Sequence, residues 1–206
     1  MSMQSQSTCL QCGVNMPADA HACPSCGERV GPFEEPPEAW IGRTIDAKYE
    51  ILGVLGVGGM GMVFEARRLL VGDRVALKVL FPRLLSSRLQ RDLFHDEGIA
   101  AARLSHKNVV TVFDADLSAA TGTAYIAMEL LRGDTLKTLL RERAPISPAE
   151  LLPIAIEVCQ GLEAAHRAQI IHRDLKPDNI FLEEGPGGQR RVKLVDFGIA
   201  AMLDAE

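Results

Sequence analysis

The 206-residue sequence lacks both an apolar run long enough to cross a membrane and an apolar N-terminal leader. A membrane-spanning helix needs about 20 consecutive apolar residues, whereas the uncharged stretch at 51–64 is shorter and rich in glycine. The chain also lacks an excess of positive charge, with 22 basic and 27 acidic residues. These absences predict a cytoplasmic protein with no membrane segment in this chain, and they argue against nucleic acid as a partner.

Four of the five cysteines form two C-x-x-C pairs, Cys9 with Cys12 and Cys23 with Cys26. This spacing supplies four thiolates for a tetrahedral Zn²⁺ site. We therefore expect a zinc ribbon at 9–30, with either a structural role or a protein partner. Nucleic acid is disfavoured as its partner, because Arg29 is the only lysine or arginine in this segment. Disulfide bonds are the alternative, which the absence of a secretory leader disfavours.

Composition and periodicity divide the chain into segments. Residues 1–8 are predicted to be disordered, 31–48 to be a linker and lead-in rich in proline and glutamate, and 49–206 to be the main domain. Within that domain the apolar patterns predict five strands at 49–55, 62–68, 74–80, 109–115 and 124–130. They also predict helices at 87–104, 136–143 and 148–166, the last beginning with a capping box at Ser147, and a hairpin of 181–183 with 192–195. The predicted class is α+β.

The most informative segment, 171–179, reads Ile-His-Arg-Asp-Leu-Lys-Pro-Asp-Asn. It places Asp174, Lys176 and Asn179 close together, and Asp196 follows 17 residues after Asn179 in an Asp-Phe-Gly sequence. Transfer of a phosphoryl group requires an acceptor for the proton of the incoming hydroxyl and oxygen ligands for Mg²⁺. The two aspartates and the asparagine carry these groups. The alternative is a solvated loop with three polar residues.

These motifs resemble those of the eukaryotic-type protein kinase family, in its bacterial serine/threonine branch. The resemblance implies a protein-kinase-like fold, with a five-stranded N-lobe, one main helix and a helical C-lobe, and it implies ATP and Mg²⁺ as cofactors. Asp174 would position and deprotonate a protein serine or threonine hydroxyl, and Lys176 would neutralise charge on the transferring phosphoryl group. Asn179 and Asp196 would hold Mg²⁺.

A glycine-rich segment precedes these motifs and comprises Gly56, Val57, Gly58, Gly59, Met60 and Gly61. Its spacing fits both a dinucleotide site and a kinase phosphate loop, but a dinucleotide site requires a helix immediately afterwards, and 63–67 read as a strand. Lys78, in the sequence Val-Ala-Leu-Lys, resembles the kinase lysine that binds the α- and β-phosphates. The resemblance pairs it with Glu97 rather than with the neighbouring Asp96.

The resemblance also places adenine at the connector between the lobes, residues 128–131. The residues expected to contact the nucleotide, in the connector and in the strands around it, are Val63, Ala76, Glu129, Leu131 and Phe181. Asp134 would lie near the ribose; alternatively it is an exposed loop acid or the cap of the next helix.

The resemblance covers 49–201, and the chain ends eight residues after Gly198, where the family has an activation segment and further helices. We therefore expect these 206 residues alone to be poorly active as a kinase of protein substrates. Two alternatives remain open: an ATP-binding regulatory module without catalysis, and a small-molecule phosphotransferase of related fold. Lys176 and Pro177 favour a protein substrate.

Overall fold

The computed structural model describes residues 6–8, 14–17, 25, 36–85, 88–118 and 121–197. The strands are β1 (Gln6–Thr8), β2 (Asn15–Pro17), β3 (Thr44–Ile45), β4 (Tyr49–Gly58), β5 (Gly61–Arg68), β6 (Arg74–Leu80), β7 (Val112–Leu117), β8 (Ala124–Glu129), β9 (Gly133–Thr135), β10 (Ile180–Glu184) and β11 (Arg190–Leu194). The helices are α1 (Arg88–Arg103), α2 (Leu136–Arg143) and α3 (Pro148–Arg167). Across these described residues, no helix combines the length and apolar character that a membrane crossing requires.

The first hairpin occupies part of a segment for which the sequence predicts disorder. β1 pairs with β2 in antiparallel register, with Ser7 opposite Met16, so the prediction for 1–8 is wrong at Gln6–Thr8. The strands are held by ladder hydrogen bonds between backbones, which the polar composition of the segment does not reveal. The four cysteines predicted to bind zinc lie outside the described residues.

The main sheet has six antiparallel strands in the order β3-β4-β5-β6-β8-β7. The five strands and the helix predicted from 49 to 130 are confirmed, and β3 is an additional strand that the prediction placed in the linker. β7 begins at Val112 rather than at 109. The preceding residues pair elsewhere: Val109 forms a parallel bridge with Leu194, and the N–H of Val110 donates to the Leu194 carbonyl over 2.9 Å.

The lead-in before β4 is packed against the sheet. Trp40 is 8% exposed, and its ring stacks on Phe64 with the centroids 6.0 Å apart. The N–H of Gly42 donates to the Ile51 carbonyl over 2.8 Å, and the N–H of Ile51 donates to the Arg43 carbonyl over 2.9 Å. One large aromatic side chain buries enough apolar area to order a short segment, so residues 37–48 form a packed lead-in to β4.

A cluster of polar side chains joins the two edges of the main sheet. Lys48, in the turn before β4, donates to the Tyr125 hydroxyl over 3.0 Å and pairs with Asp46 at 3.0 Å and with Asp114 of β7 at 3.3 Å. The Tyr49 hydroxyl donates to Asp114 over 2.9 Å. The hydrogen bonds with Tyr125 and then Asp46 raise the pKa of Lys48 above its ordinary value. The bridge between the edges therefore stays charged at physiological pH.

A second sheet has three strands, with β10 between β9 and β11. Its buried side chains share an apolar cluster with α2 and α3 that includes Leu136, Leu139, Val158, Leu182 and Leu194. The predicted cap of α3 is confirmed, because Ser147 Oγ accepts the N–H of Glu150 over 3.3 Å. The Glu150 carboxylate pairs with Arg143 at 3.1 Å, which ties α3 to the end of α2.

We predict that Ala47→Gly stabilises the fold by about 1 kcal/mol. Asp46 and Ala47 are the central residues of the turn from β3 to β4, with φ of 51° and 54°, and Lys48 N–H donates to the Ile45 carbonyl over 3.0 Å. Glycine adopts this left-handed conformation without the steric cost of a Cβ atom. Chemical unfolding of the two proteins measures the difference.

Ala155→Gly, on an exposed position of α3, is the matched control for this prediction. In a helix the same substitution costs about 1 kcal/mol, so the two variants should shift the free energy of unfolding in opposite directions. A loss of stability in both would contradict the role assigned to the turn.

Candidate active site

The glycine-rich segment forms the hairpin between β4 and β5, with Gly58 opposite Gly61 and Gly56 opposite Val63. A strand follows the glycines, which excludes a dinucleotide site of the strand–loop–helix type. A Cβ atom on Gly56 would have no neighbour within 4 Å, whereas one on Gly61 would lie 2.1 Å from the Val79 carbonyl oxygen. Gly56 therefore leaves open space on the loop, and Gly61 is required for the close approach of β5 to β6.

Lys78 lies on β6 and is 5% exposed. Its Nζ atom donates to Asp196 Oδ1 over 2.7 Å. The ammonium group and the carboxylate are 118 residues apart in sequence. The structure thus brings together the residue predicted to bind phosphate and one of those predicted to bind Mg²⁺.

Glu97, the predicted partner of Lys78, lies on α1. Its side chain lies outside the part of the structure that is described, so the pairing stays a prediction. The next residue, Gly98, is buried, and a Cβ atom there would lie 2.6 Å from the Ala115 side chain on β7. Glycine at this position lets α1 approach the sheet closely.

The segment 171–179 holds Asp174 in a network of hydrogen bonds. Lys176 Nζ donates to Asp174 Oδ2 over 2.6 Å, and Asn179 Nδ2 donates to the same oxygen over 3.1 Å and to the Asp174 carbonyl over 2.8 Å. Burial alone would raise the pKa of Asp174, but the hydrogen bond and charge of Lys176, with the hydrogen bond from Asn179, lower it below its ordinary value. Asp174 is therefore ionised at neutral pH and can accept a proton.

The predicted Mg²⁺ ligands lie at neighbouring backbone positions. The N–H of Val195, which precedes Asp196, donates to the Asn179 carbonyl over 3.0 Å. Asn179 uses its amide nitrogen toward Asp174, so its side-chain oxygen remains available for a cation. A carboxylate and an amide oxygen, completed by phosphate oxygens and water, are a donor set that suits Mg²⁺. Among the described residues, no three His, Cys, Asp or Glu side chains form a separate metal site.

Apolar residues predicted to surround the base lie in one cluster. Ala76 is buried in it, beside Met128 of the connector, and Val63 and Leu131 pack against it. Phe181 is half-buried on β10, opposite Thr135 on one side and Lys193 on the other.

Asp134 is exposed on β9. The interpretation of Asp134 as a helix cap is wrong, because Thr135 Oγ1 accepts the N–H of Thr138 at the start of α2 over 3.2 Å. Its place near the ribose remains a prediction.

Two buried polar side chains, His172 and Lys193, lie beside the predicted site residues. His172 is 2% exposed, its Nε2 lies 3.0 Å from the Val195 carbonyl oxygen, and its ring lies 4.5 Å from that of Phe197. Lys193 is buried and pairs with Glu129 at 2.6 Å. The only sequence signal for Lys193 was a lysine in an otherwise apolar strand, Val192 to Val195.

The chain matches the protein kinase domain over residues 49–206, and it belongs to this family. It is 40% identical over 168 residues to the serine/threonine-protein kinase Pkn3 of Myxococcus xanthus, which covers 82% of this chain and 30% of Pkn3. It is 36% identical over 194 residues to Pkn1 of the same organism, covering 94% of this chain and 27% of Pkn1. The chain thus spans less than a third of the length of either relative.

Solved structures agree with the fold. The crystal structure of the PknI kinase domain from Mycobacterium tuberculosis has a TM-score of 0.69 and 32% sequence identity, covering 77% of this chain and 62% of that one. The predicted protein-kinase-like fold is therefore confirmed for the described part of the chain.

We predict that His172 makes the fold less stable as the pH falls below about 6.5. Burial lowers the pKa of His172, and its hydrogen bond to Val195 opposes this only in part. An unfolded histidine has a pKa of about 6.5. The unfolded chain thus takes up the proton more readily, so stability is lost as the pH falls.

Thermal unfolding at pH 7.5 and 5.5 tests this for the parent and for His172→Gln, which should lose less stability over that interval. His95→Gln, at an exposed histidine on α1, should keep the parent's pH dependence. Equal losses in the parent and His172→Gln would contradict the prediction.

Proposed function

We propose that this chain carries the nucleotide site and catalytic loop of a bacterial serine/threonine protein kinase. The observation that carries the proposal is the joint placement of two lysine–carboxylate pairs, Lys78 with Asp196 and Lys176 with Asp174. In the proposed reaction the bond between the γ-phosphorus and the oxygen that leaves with ADP breaks, and a bond to a serine or threonine oxygen forms. The hydroxyl proton passes to Asp174, whose carboxyl is ionised at neutral pH because its pKa is lowered.

The other side chains of the site bind and orient the reactants. Lys78, with Glu97 as its proposed second partner, holds the phosphates, and Lys176 offsets the negative charge that moves with the phosphoryl group. Asn179 and Asp196 would hold Mg²⁺, which supplies positive charge beside the phosphates. Names of the relatives support protein serine or threonine as the acceptor, as does Lys176 in the catalytic segment.

An exposed apolar face on α3 supports the expectation that these residues alone transfer phosphate slowly. Leu151, Leu152 and Ile156 are exposed on this helix. Such a patch on a soluble domain favours association with further protein surface. We propose that in longer relatives additional chain covers this face and supplies the platform that aligns the acceptor hydroxyl with Asp174.

We also propose that Cys9, Cys12, Cys23 and Cys26 bind one Zn²⁺. The hairpin of β1 and β2 supports this, because its strands flank the first C-x-x-C pair in sequence. Two C-x-x-C pairs are the ligand spacing typical of zinc ribbons. The ribbon's proposed role is to bind another protein.

The nucleotide site is tested by titrating the chain with Mg-ATP. Lys78→Met removes a phosphate contact and Asp196→Asn weakens the Mg²⁺ site, so each should lower affinity about tenfold or more. Asp174→Asn should keep the affinity within about threefold, because Asp174 acts on the acceptor. Unchanged affinity in both of the first two variants would place the phosphates elsewhere.

Catalysis is tested in the same chain fused to the remaining kinase-domain segment of Pkn3. The fusion should label serine or threonine of a generic protein acceptor, and Asp174→Asn should reduce the rate at least about a hundredfold. A well-folded fusion that binds Mg-ATP but labels neither protein nor a small-molecule acceptor would favour a regulatory module instead.

Metal analysis of the purified chain tests the ribbon. About one zinc per chain is expected, and the double variant Cys9→Ser, Cys26→Ser should lose it, since two ligands cannot hold the ion. Cys159→Ser is the control and should retain zinc. A zinc-free parent with four reactive ribbon thiols would rule the site out.

A further inference from the structure

The most unusual buried group outside the proposed catalytic set is the ammonium of Lys193. Lys193 lies on β11, is 6% exposed, and is three residues before Asp196. A charged group is costly to bury unless it is paired and hydrogen-bonded. The partners of this ammonium group therefore indicate what Lys193 holds in place.

Lys193 contacts two segments that meet behind the connector. Its Nζ atom donates to Glu129 Oε1 over 2.6 Å and to the Val109 carbonyl over 3.4 Å. The same Glu129 oxygen accepts the N–H of Thr111 over 2.7 Å, and the N–H of Glu129 donates to the Thr111 carbonyl over 2.9 Å. Glu129 is thus fixed through both its side chain and its backbone.

Glu129 is the second residue of the connector and follows the buried Met128. The Glu129 carboxylate is held by Lys193 and by the N–H of Thr111. A side chain held at its end restricts rotation of the two peptide groups that adjoin its Cα atom. Lys193 also lies directly opposite Phe181, which is expected to contact the base. Lys193 thus contacts Glu129 and is the register partner of Phe181, two residues that are both expected to lie near the adenine.

We propose that Lys193 is a positioning residue that sets the connector's backbone for recognition of the adenine edge. This inference rests on the proposed function, because it assumes that the nucleotide base meets the connector. Lys193 itself does not touch the nucleotide. It acts through Glu129, by holding the carboxylate at a fixed position behind the peptide groups that face the cleft.

The test compares the affinities of Mg-ATP and Mg-ITP for the 206-residue chain by calorimetry. Inosine carries a carbonyl where adenine carries its exocyclic amine, while the ribose and triphosphate are the same. A backbone set to accept from the amine should favour ATP by about tenfold. In Lys193→Met this ratio should fall to within about twofold, with the affinity for Mg-ITP changed by less than about threefold. A purely structural role would lower both affinities together and leave the ratio unchanged.

Lys48→Met is the matched control, because Lys48 also pairs with carboxylates but lies in the cluster at the sheet edges. It should keep the parent's ratio. Since Lys193→Met leaves the Glu129 charge without its partner, a second variant combines it with Glu129→Gln. If the double variant melts near the parent's temperature and its preference for Mg-ATP over Mg-ITP stays within about twofold, the positioning role of Lys193 is supported.

The remaining outcomes distinguish failure of the Lys193 role from failure of the proposed kinase site. A parent that binds Mg-ATP, with an unchanged ATP-to-ITP ratio in Lys193→Met or a restored ratio in the double variant, refutes the role of Lys193 and leaves the proposed kinase site standing. A parent that binds neither nucleotide refutes the proposed site, and the positioning role with it.

Discussion

Backbone hydrogen bonds between β11 and the segment after α1 determine how the two sheets meet. Val110 donates to the Leu194 carbonyl, and Leu194 donates to the Asn108 carbonyl, both over 2.9 Å. These bonds fix the end of β11 against the main sheet. Since Asp196 follows Leu194 by two residues, they also determine that its carboxylate reaches Lys78. The catalytic segment is joined to the same place by the bond from Val195 to Asn179.

Paired charge is the second principle of the site. Two carboxylates of the candidate site each lie against a lysine, Asp196 against Lys78 and Asp174 against Lys176. Burial alone would raise the pKa of the Asp174 carboxyl, but the hydrogen bond and charge of Lys176 hold it below its ordinary value. The two pairs place carboxylate oxygens where a cation or a hydroxyl proton must be received. They also keep two ammonium groups where phosphate charge would lie.

Most of the fold could be predicted from the sequence. So could the grouping of Lys78 with Asp196 and of Asp174 with Lys176 and Asn179, because the motifs are short and their chemistry is specific. The strand following Gly61 identified a hairpin rather than a dinucleotide site, and the capping residue of α3 was visible in Ser147 and Glu150. Long-range pairing could not be predicted. The ordering of 37–48 depends on Trp40 meeting Phe64, and the late start of β7 depends on Val109 and Val110 meeting Leu194. The position of Lys193 near Glu129 likewise depends on packing between segments that are 64 residues apart.

The burial of Trp40 has an experimental consequence, because it is the single tryptophan of the chain. Its indole stacks on Phe64 of β5, and Arg43 lies over the ring at 5.4 Å. Intrinsic emission at tryptophan wavelengths therefore comes from one known place, where Trp40 packs against the strand that follows the glycine-rich turn. Trp40 is therefore a built-in optical probe of the main sheet, and no label needs to be introduced to follow that sheet.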